Sequence, residues 1–317
     1  MNGVLNIDKP AGMTSHDVVA RVRRLARLKR VGHAGTLDPD ATGVLLVCLG
    51  QATRLADLLA EEGKEYRAVL ALGATTTTED GSGDVLAETD ASHVTEQNLR
   101  ELLPRFTGVI RQTPPMVSAV HHEGRRLYEL ARAGVTVERA ARPVQIDALT
   151  LAYWTPGPRP QATLDVACGK GTYIRTLCAD LGAALGVGGH MAALRRTRVG
   201  AFPVSGAVPL GALTADNIAD HVVSPAAALA HLPAHSVTGD AQREDIRQGR
   251  PLSTRLADAP AVRVLDGDAL LALARAESGR LYPYKVFVEG LSVSGRRGGR
   301  AGGAPDLQGV GGGADQE

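Results

Sequence analysis

The sequence predicts an α/β (α+β) protein built on a mixed, largely antiparallel sheet, and three observations carry that prediction. Short runs that alternate or are wholly apolar, as strands do, are interleaved with stretches of helical spacing. The connections between them vary in length, which argues against a regular parallel βαβ repeat. Hydrophobic residues make up 44% of the 317-residue chain and aromatics only 3%, so a sizeable core is available and must be aliphatic.

The elements follow in order. Residues 2–8 read as a strand, broken at Lys9-Pro10-Ala11-Gly12. Thr14 with Asp17 three residues on marks a helix start with a capping box, and Val18, Val22 and Leu25 give its buried stripe. The other side carries Arg21, Arg23, Arg24, Arg27, Lys29 and Arg30. Their charges have one sign, so no i,i+4 partner relieves them and phosphate becomes a candidate ligand. Residues 31–43, VGHAGTLDPDATG, read as a glycine-rich loop, and 43–50 as a fully buried strand. A helix with Leu55, Leu58 and Leu59 inward comes next. Residues 65–73 then form a strand with Tyr66, Ala68, Leu70 and Leu72 on one face.

Residues 75–87 are a polar loop and 95–103 a helix. Residues 112–142 form a long basic segment with His121, His122, Arg125, Arg126, Arg132, Arg139 and Arg142, the kind of insertion that is functional or mobile rather than core. A strand at 161–168 leads through Gly169-Lys170-Gly171-Thr172 to a helix with Ile174, Leu177, Leu181 and Leu185 inward. Periodicity fades over the Ala-rich 206–240, where a domain boundary is placed, and 240–290 read as a small α/β module. From 292 to 317 the composition collapses to Gly, Ala and Arg, which predicts a disordered tail.

Charge and cysteine usage exclude some classes. Thirty-five basic and 34 acidic side chains leave a net charge of +1, unlike a wholly basic nucleic-acid binder. Cys48, Cys168 and Cys178 are far apart with no CxxC spacing, which gives neither a disulfide framework nor a zinc site. No apolar run reaches membrane-spanning length and no signal-peptide pattern opens the chain, so a cytoplasmic protein is expected.

On spacing alone, Asp38 between Leu37 and Pro39 reads as a turn residue. The whole run GHAGTLDPDATGVLLVCLGQATR, however, resembles the catalytic loop of the TruB family of pseudouridine synthases. NIDKPAGMTSHDVV, KEYRAVLALGATTTTEDGSGD, QTPPMVSAV with LYELARAG, CGKGTYIRTLCADLG and LRRTRVGAF follow the family pattern in the same order. The likeness spans about residues 3–205, with a weaker match beyond. His121 stands where Lys is usual, and Gly169 where Ser is usual.

The resemblance implies a pseudouridine synthase fold over residues 1–235, in which 112–142 is a basic RNA-binding insertion, and a PUA-like RNA-binding module over 240–290. It implies isomerisation of uridine 55 in the T loop of tRNA without a guide RNA. No cofactor, metal or obligate protein partner is expected, and a monomer is. Asp38 would attack C1′ as a nucleophile or take a proton from C2′. Arg175 would pair with it and keep it charged. Tyr66 would stack under the target base and manage the C5 proton. Tyr173 and Leu194 would line the base pocket, and His33 would fill the gap that a flipped base leaves. The Arg-rich segments 21–30, 125–142 and 195–198 would hold phosphates.

Overall fold

In the computed structural model, the described residues are 1–118, 121–122, 124–127, 130, 134–135 and 137–293. Strand β1 (Gly3–Lys9) leads into helix α1 (Ser15–Ala26), whose Thr14–Asp17 capping box forms as predicted. Val18 and Val22 are buried and Leu25 is partly so. The segment 31–43 is not all loop. Its first four residues form β2 (Val31–Ala34), because pairing with β3 (Thr42–Leu49) satisfies backbone groups that a buried loop would leave unpaired. Every residue of β3 after Thr42 is buried.

A 3₁₀ turn then leads to the short helix α2 (Ala56–Glu61) and to β4 (Lys64–Leu72), whose alternating face of Tyr66, Ala68, Leu70 and Leu72 is buried as predicted. The polar loop at 75–87 closes into a hairpin of β5 (Ala74–Thr76) and β6 (Val85–Glu88). Helix α3 (Glu96–Leu102) and strand β7 (Gly108–Gln112) follow. Within the basic segment the short strands β8 (His121–His122) and β9 (Arg125–Arg126) pair with each other, and their side chains lie outside the described residues. The long β10 (Arg142–Thr155), β11 (Gln161–Cys168), helix α4 (Ile174–Ala184) and β12 (Gly189–Val199) complete the central part.

The main sheet is mixed and mostly antiparallel, as expected. Its path runs β7-β10-β11-β4-β12-β3-β1, and the parallel β12–β3 pairing lies near its middle. The Ala-rich stretch after 206 still belongs to this sheet. Strands β14 (Val208–Pro209) and β15 (Val222–Val223) add to β1, and β13 (Phe202–Pro203) adds to β12.

The predicted module at 240–290 is a second sheet that begins slightly earlier, with β16 (Ala234–Ser236). It continues through helix α6 (Gly239–Arg247), which follows the one-turn α5 (Pro225–Ala228) in chain order, and then β17 (Leu252–Ser253), β18 (Ala259–Asp266), β19 (Ala269–Glu277) and β20 (Arg280–Leu291). The two sheets share apolar packing, since Leu270, Leu273, Phe287 and Leu291 pack with Val44, Leu46, Leu55 and Leu59. The predicted tail at 292–317 falls almost wholly outside the described residues.

Candidate active site

The parallel pairing at the centre of the main sheet gathers residues far apart in sequence. Arg196 of β12 lies opposite Gly43 at the head of β3 and opposite Tyr66 on β4. The loop 35–41 therefore ends where Tyr66 and Leu194 face the same side of the sheet. Gly43 has φ +99°, and a Cβ there would lie 2.1 Å from the Arg196 carbonyl oxygen, so only glycine permits this approach.

Asp38 is held from both sides. The Ser15 hydroxyl donates to Leu37 O at 3.1 Å and accepts from Leu37 N at 2.9 Å. On the other flank, the fully buried Lys9 ammonium donates to Pro10 O, Met13 O and Pro39 O at 2.9, 2.6 and 2.8 Å. Arg196 holds the start of the loop through Gly35 O and Thr36 O at 3.1 and 3.3 Å. The loop is thus rigid enough to aim a side chain, although it has little regular structure of its own.

Arg175, second residue of α4, meets the Asp38 carboxylate with its Nε at 3.2 Å. Its Nη1 lies 3.4 Å from Asp80 Oδ2 and donates to Thr78 O at 3.2 Å, and its Nη2 donates to Val117 O at 2.8 Å. The guanidinium side chain is 7% exposed and Asp38 is 39% exposed, so the arginine is fixed and the carboxylate remains partly open to solvent.

Burial pushes the Asp38 carboxyl above the ordinary carboxylate range, Arg175 pulls it back, and Asp80 pushes it up again. For Asp80, burial acts upward too, but hydrogen bonds from Ser82 and Thr78, with Arg175 behind them, hold it below the usual range. Its Oδ1 accepts from the Thr78 hydroxyl at 2.6 Å and from Ser82 N and Oγ at 3.0 and 2.6 Å. Of the two carboxylates, Asp80 is the settled ion and Asp38 the one on which binding and charge compete.

Tyr66 is buried, and burial pushes its phenol up while the positive charge of Arg196, its cross-strand neighbour, works the other way. Leu194 packs at the edge of the same core, opposite Ala68. Tyr173 caps α4, and the buried Gln112 amide grips its backbone at both ends, 3.0 Å to its N and 3.1 Å to its O. His33 stands apart from this set. Its ring meets His16 edge-on at 5.3 Å, its buried Nδ1 has no partner, and burial pushes its pKa down, with His16 and Arg196 acting the same way.

One expectation is corrected. Of residues 195–198, Arg196 is buried and cannot reach phosphate, while Arg195 and Arg198, each 42% exposed at the side chain, pair with Asp8 at 2.8 Å and Glu65 at 3.2 Å. In 125–142, Arg139 donates to Pro114 O at 2.9 Å, and the side chains of Arg125, Arg126 and Arg132 lie outside the described residues. Four further site residues do not stand out in the sequence: Asp80, Gln112, Lys9 and Arg196. Lys9 carries a signal, as one of only five lysines, placed before a proline in a matching motif. Asp80 looks like any polar loop residue.

Comparison with known proteins shows the family. The profile of the TruB family pseudouridylate synthase N-terminal domain matches residues 23–174, and that of the tRNA pseudouridylate synthase B C-terminal domain matches 175–230. A tRNA pseudouridine synthase B of Symbiobacterium thermophilum is 54% identical over 241 residues, 76% of this chain and 80% of the relative. That of Moorella thermoacetica is 47% identical over 309 residues, 90% of this chain and 99% of the relative. Among solved structures, a Cbf5-Nop10-Gar1 complex aligns over 90% of this chain and 84% of its own, with TM-score 0.69 and 29% identity. An H/ACA RNP bound to a substrate RNA containing 2′-deoxyuridine aligns over the same shares, with TM-score 0.68 and 27% identity. With relatives this similar along most of their length, and with the expected loop closed over a paired aspartate at the centre of the sheet, the chain belongs to the TruB family of pseudouridine synthases.

Proposed function

We propose that the chain isomerises uridine 55 in the T loop of tRNA to pseudouridine as a stand-alone enzyme, with Asp38 acting on a flipped-out nucleotide. The observation that carries this reading is the Asp38–Arg175 ion pair, with the arginine buried and the carboxylate partly exposed, beside the central strands that bear Tyr66 and Leu194. The reaction breaks the N1–C1′ bond, turns the uracil and joins C5 to C1′. Substrate and product have the same atoms and oxidation state, so no external electron acceptor is required.

Asp38 acts as nucleophile at C1′ or as base at C2′. Both routes need an ionised carboxylate, and Arg175 supplies the charge that keeps it ionised in a pocket where burial opposes ionisation. Tyr66 stacks under the base and handles the C5 proton, while Tyr173 and Leu194 line the base pocket. His33 enters the stack where the target base has left. A flipped base costs a few kcal/mol, and a stacked planar side chain returns about 1–3 kcal/mol.

The partner is the T arm of tRNA, with β16–β20 as a second RNA-binding module beside the catalytic part. The enzyme is read as a cytoplasmic monomer that needs no protein partner. Identity of about half with proteins named tRNA pseudouridine synthase B supports stand-alone action over the guide-dependent setting of the more distant ribonucleoprotein structures. Among the described residues, no helix is long and apolar enough to cross a membrane.

The test is incubation of the purified chain with an unmodified tRNA transcript and position-resolved detection of pseudouridine. Conversion at position 55 by the wild type, and background conversion by Asp38→Asn with tRNA binding retained, is the expected result. A normal yield from Asp38→Asn would overturn the role given to Asp38. Modification elsewhere, with none at 55, would overturn the substrate.

A further inference from the structure

Gln112, the last residue of β7, is 1% exposed. Its side-chain amide closes a ring with the backbone of Tyr173, 61 residues away in sequence. Its Oε1 accepts from Tyr173 N at 3.0 Å and its Nε2 donates to Tyr173 O at 3.1 Å. Tyr173 is the cap residue from which α4 begins. Further along the same segment, Val117 O accepts from Arg175 Nη2 at 2.8 Å. The segment 112–117 therefore holds the start of α4 at two points.

Elsewhere in this protein, helix starts are capped locally. Thr14 N donates to Asp17 Oδ2 and Thr95 N to Asn98 Oδ1, both at 2.9 Å, and each threonine hydroxyl accepts from that third helical residue in return. Helix α4 lacks this arrangement. Tyr173 makes no side-chain cap hydrogen bond, and the third residue, Thr176, donates its hydroxyl to Glu79 Oε2 at 2.6 Å. The second residue, Arg175, is turned to Asp38 and Asp80. A buried backbone N–H left unpaired is costly, and Gln112 satisfies this one from across the fold. If stability alone were served, a short polar residue in the cap position would do it locally, as at α1 and α3. The distant amide leaves the first turn free for the Tyr173 ring and the Arg175 guanidinium, and it fixes the backbone from which both project.

We propose that Gln112 is a positioning residue for the isomerisation: its bridge from β7 sets the start of α4 and so holds Arg175 in register with Asp38. The proposal rests on the roles given above to Asp38 and Arg175. Gln112 touches no substrate and acts through the Tyr173 backbone.

The test uses Gln112→Met, which keeps length and neutrality but forms neither hydrogen bond, in single-turnover kinetics with unmodified tRNA over a range of pH. The charges acting on the Asp38 carboxyl are Arg175, Asp80, Lys9 and Asp40, and of these only Arg175 lies on the helix that Gln112 grips. Expected are cooperative melting, tRNA affinity within about twofold of wild type and a rate at least about tenfold lower, since a shift of about 1 Å can cost roughly a hundredfold. The acidic limb of the rate should also move to higher pH, because a guanidinium drawn away favours the ionised Asp38 less. With Arg175→Met already present, Gln112→Met should change the rate less than about twofold and leave the limb in place, because the group it positions is gone.

A lower rate with the limb unmoved would overturn the proposal, since a purely structural role slows the reaction without touching the Asp38–Arg175 pair. Equal losses in both backgrounds, or a wild-type rate in Gln112→Met, would overturn it as well. If Gln112→Met does not melt cooperatively, Gln112→Asn, whose amide falls one methylene short, is held to the same outcomes. Loss of cooperative melting in both would place the contact in global stability and sink the inference. An Arg175→Met variant with the wild-type rate and limb would remove the role of Arg175 itself, a failure visible without any Gln112 variant.

Discussion

Asp38 sits where its charge is wanted for chemistry and opposed by its surroundings. Burial raises its pKa, and the Arg175 guanidinium only partly offsets this. The acidic limb of the single-turnover rate should therefore lie above the ordinary aspartate value of about 4. The sign of a perturbation follows directly. Arg175→Met removes the group that favours the ionised form, so the limb should move to still higher pH. A limb that stays in place would show that Arg175 does not tune Asp38.

Stability should respond in the other direction. A raised folded-state pKa means that the ionised form is favoured less in the fold than in the unfolded chain. The associated stability is present at low pH and is lost as pH rises through the folded pKa. Asp38→Asn should therefore abolish turnover yet melt at or above the wild-type temperature at neutral pH. Arg175 would keep Asp80 and two carbonyls as partners. A clear drop in melting temperature would show that the ion pair stabilises the fold on balance.

At the scale of elements, the parallel meeting of β3 and β12 is possible only because residue 43 has no side chain. Gly43→Ala would place a Cβ against the Arg196 carbonyl and force a non-glycine residue to φ +99°. The strain and overpacking together should cost on the order of 3 kcal/mol or more. Thermal melting checks this, and a loss below about 1 kcal/mol would mean that the strands part easily. Helix α1 makes a different prediction. Arg24, Lys29 and Arg30 are exposed on or just after it, and no carboxylate pairs with them among the described residues. Replacing all three with Ala should lower tRNA affinity. The slope of log affinity against log salt should also fall, by up to roughly 0.7–0.9 for each phosphate that is no longer neutralised. An unchanged slope would show that this face points away from the RNA.

Across the whole molecule, the second sheet is fastened rather than tethered. Arg263 donates to Ala226 O, Ala230 O and Leu232 O at 2.9, 3.2 and 3.1 Å. Arg54 lies 4.7 Å over the Phe287 ring and donates to Val286 O at 2.7 Å, and Lys285 donates back to Arg54 O at 2.6 Å. Truncation after residue 233 would uncover Leu55, Leu59 and their neighbours along with losing β16–β20. The truncated chain should melt several degrees lower and aggregate on heating. A truncated chain as stable and soluble as the full one would make the shared apolar packing dispensable.

Much of the fold is written locally. The capping box at Thr14–Asp17, the alternation of β4 and the buried run of β3 follow from neighbouring residues, because helix caps and strand faces depend on spacing alone. The long ordered motifs likewise carry the family, and with it Asp38, Arg175 and Tyr66. Asp80, Gln112 and Arg196 are not legible in the same way. A polar loop residue becomes an arginine's partner, and an arginine in a basic run becomes a buried fork, only when strands 100 or more residues apart come into register. Sequence determined which residues can carry the chemistry. The parallel crossing at Gly43 and Arg196 decided which of them share a pocket, because burial, and hence the effect of each charge, exists only once those strands have met.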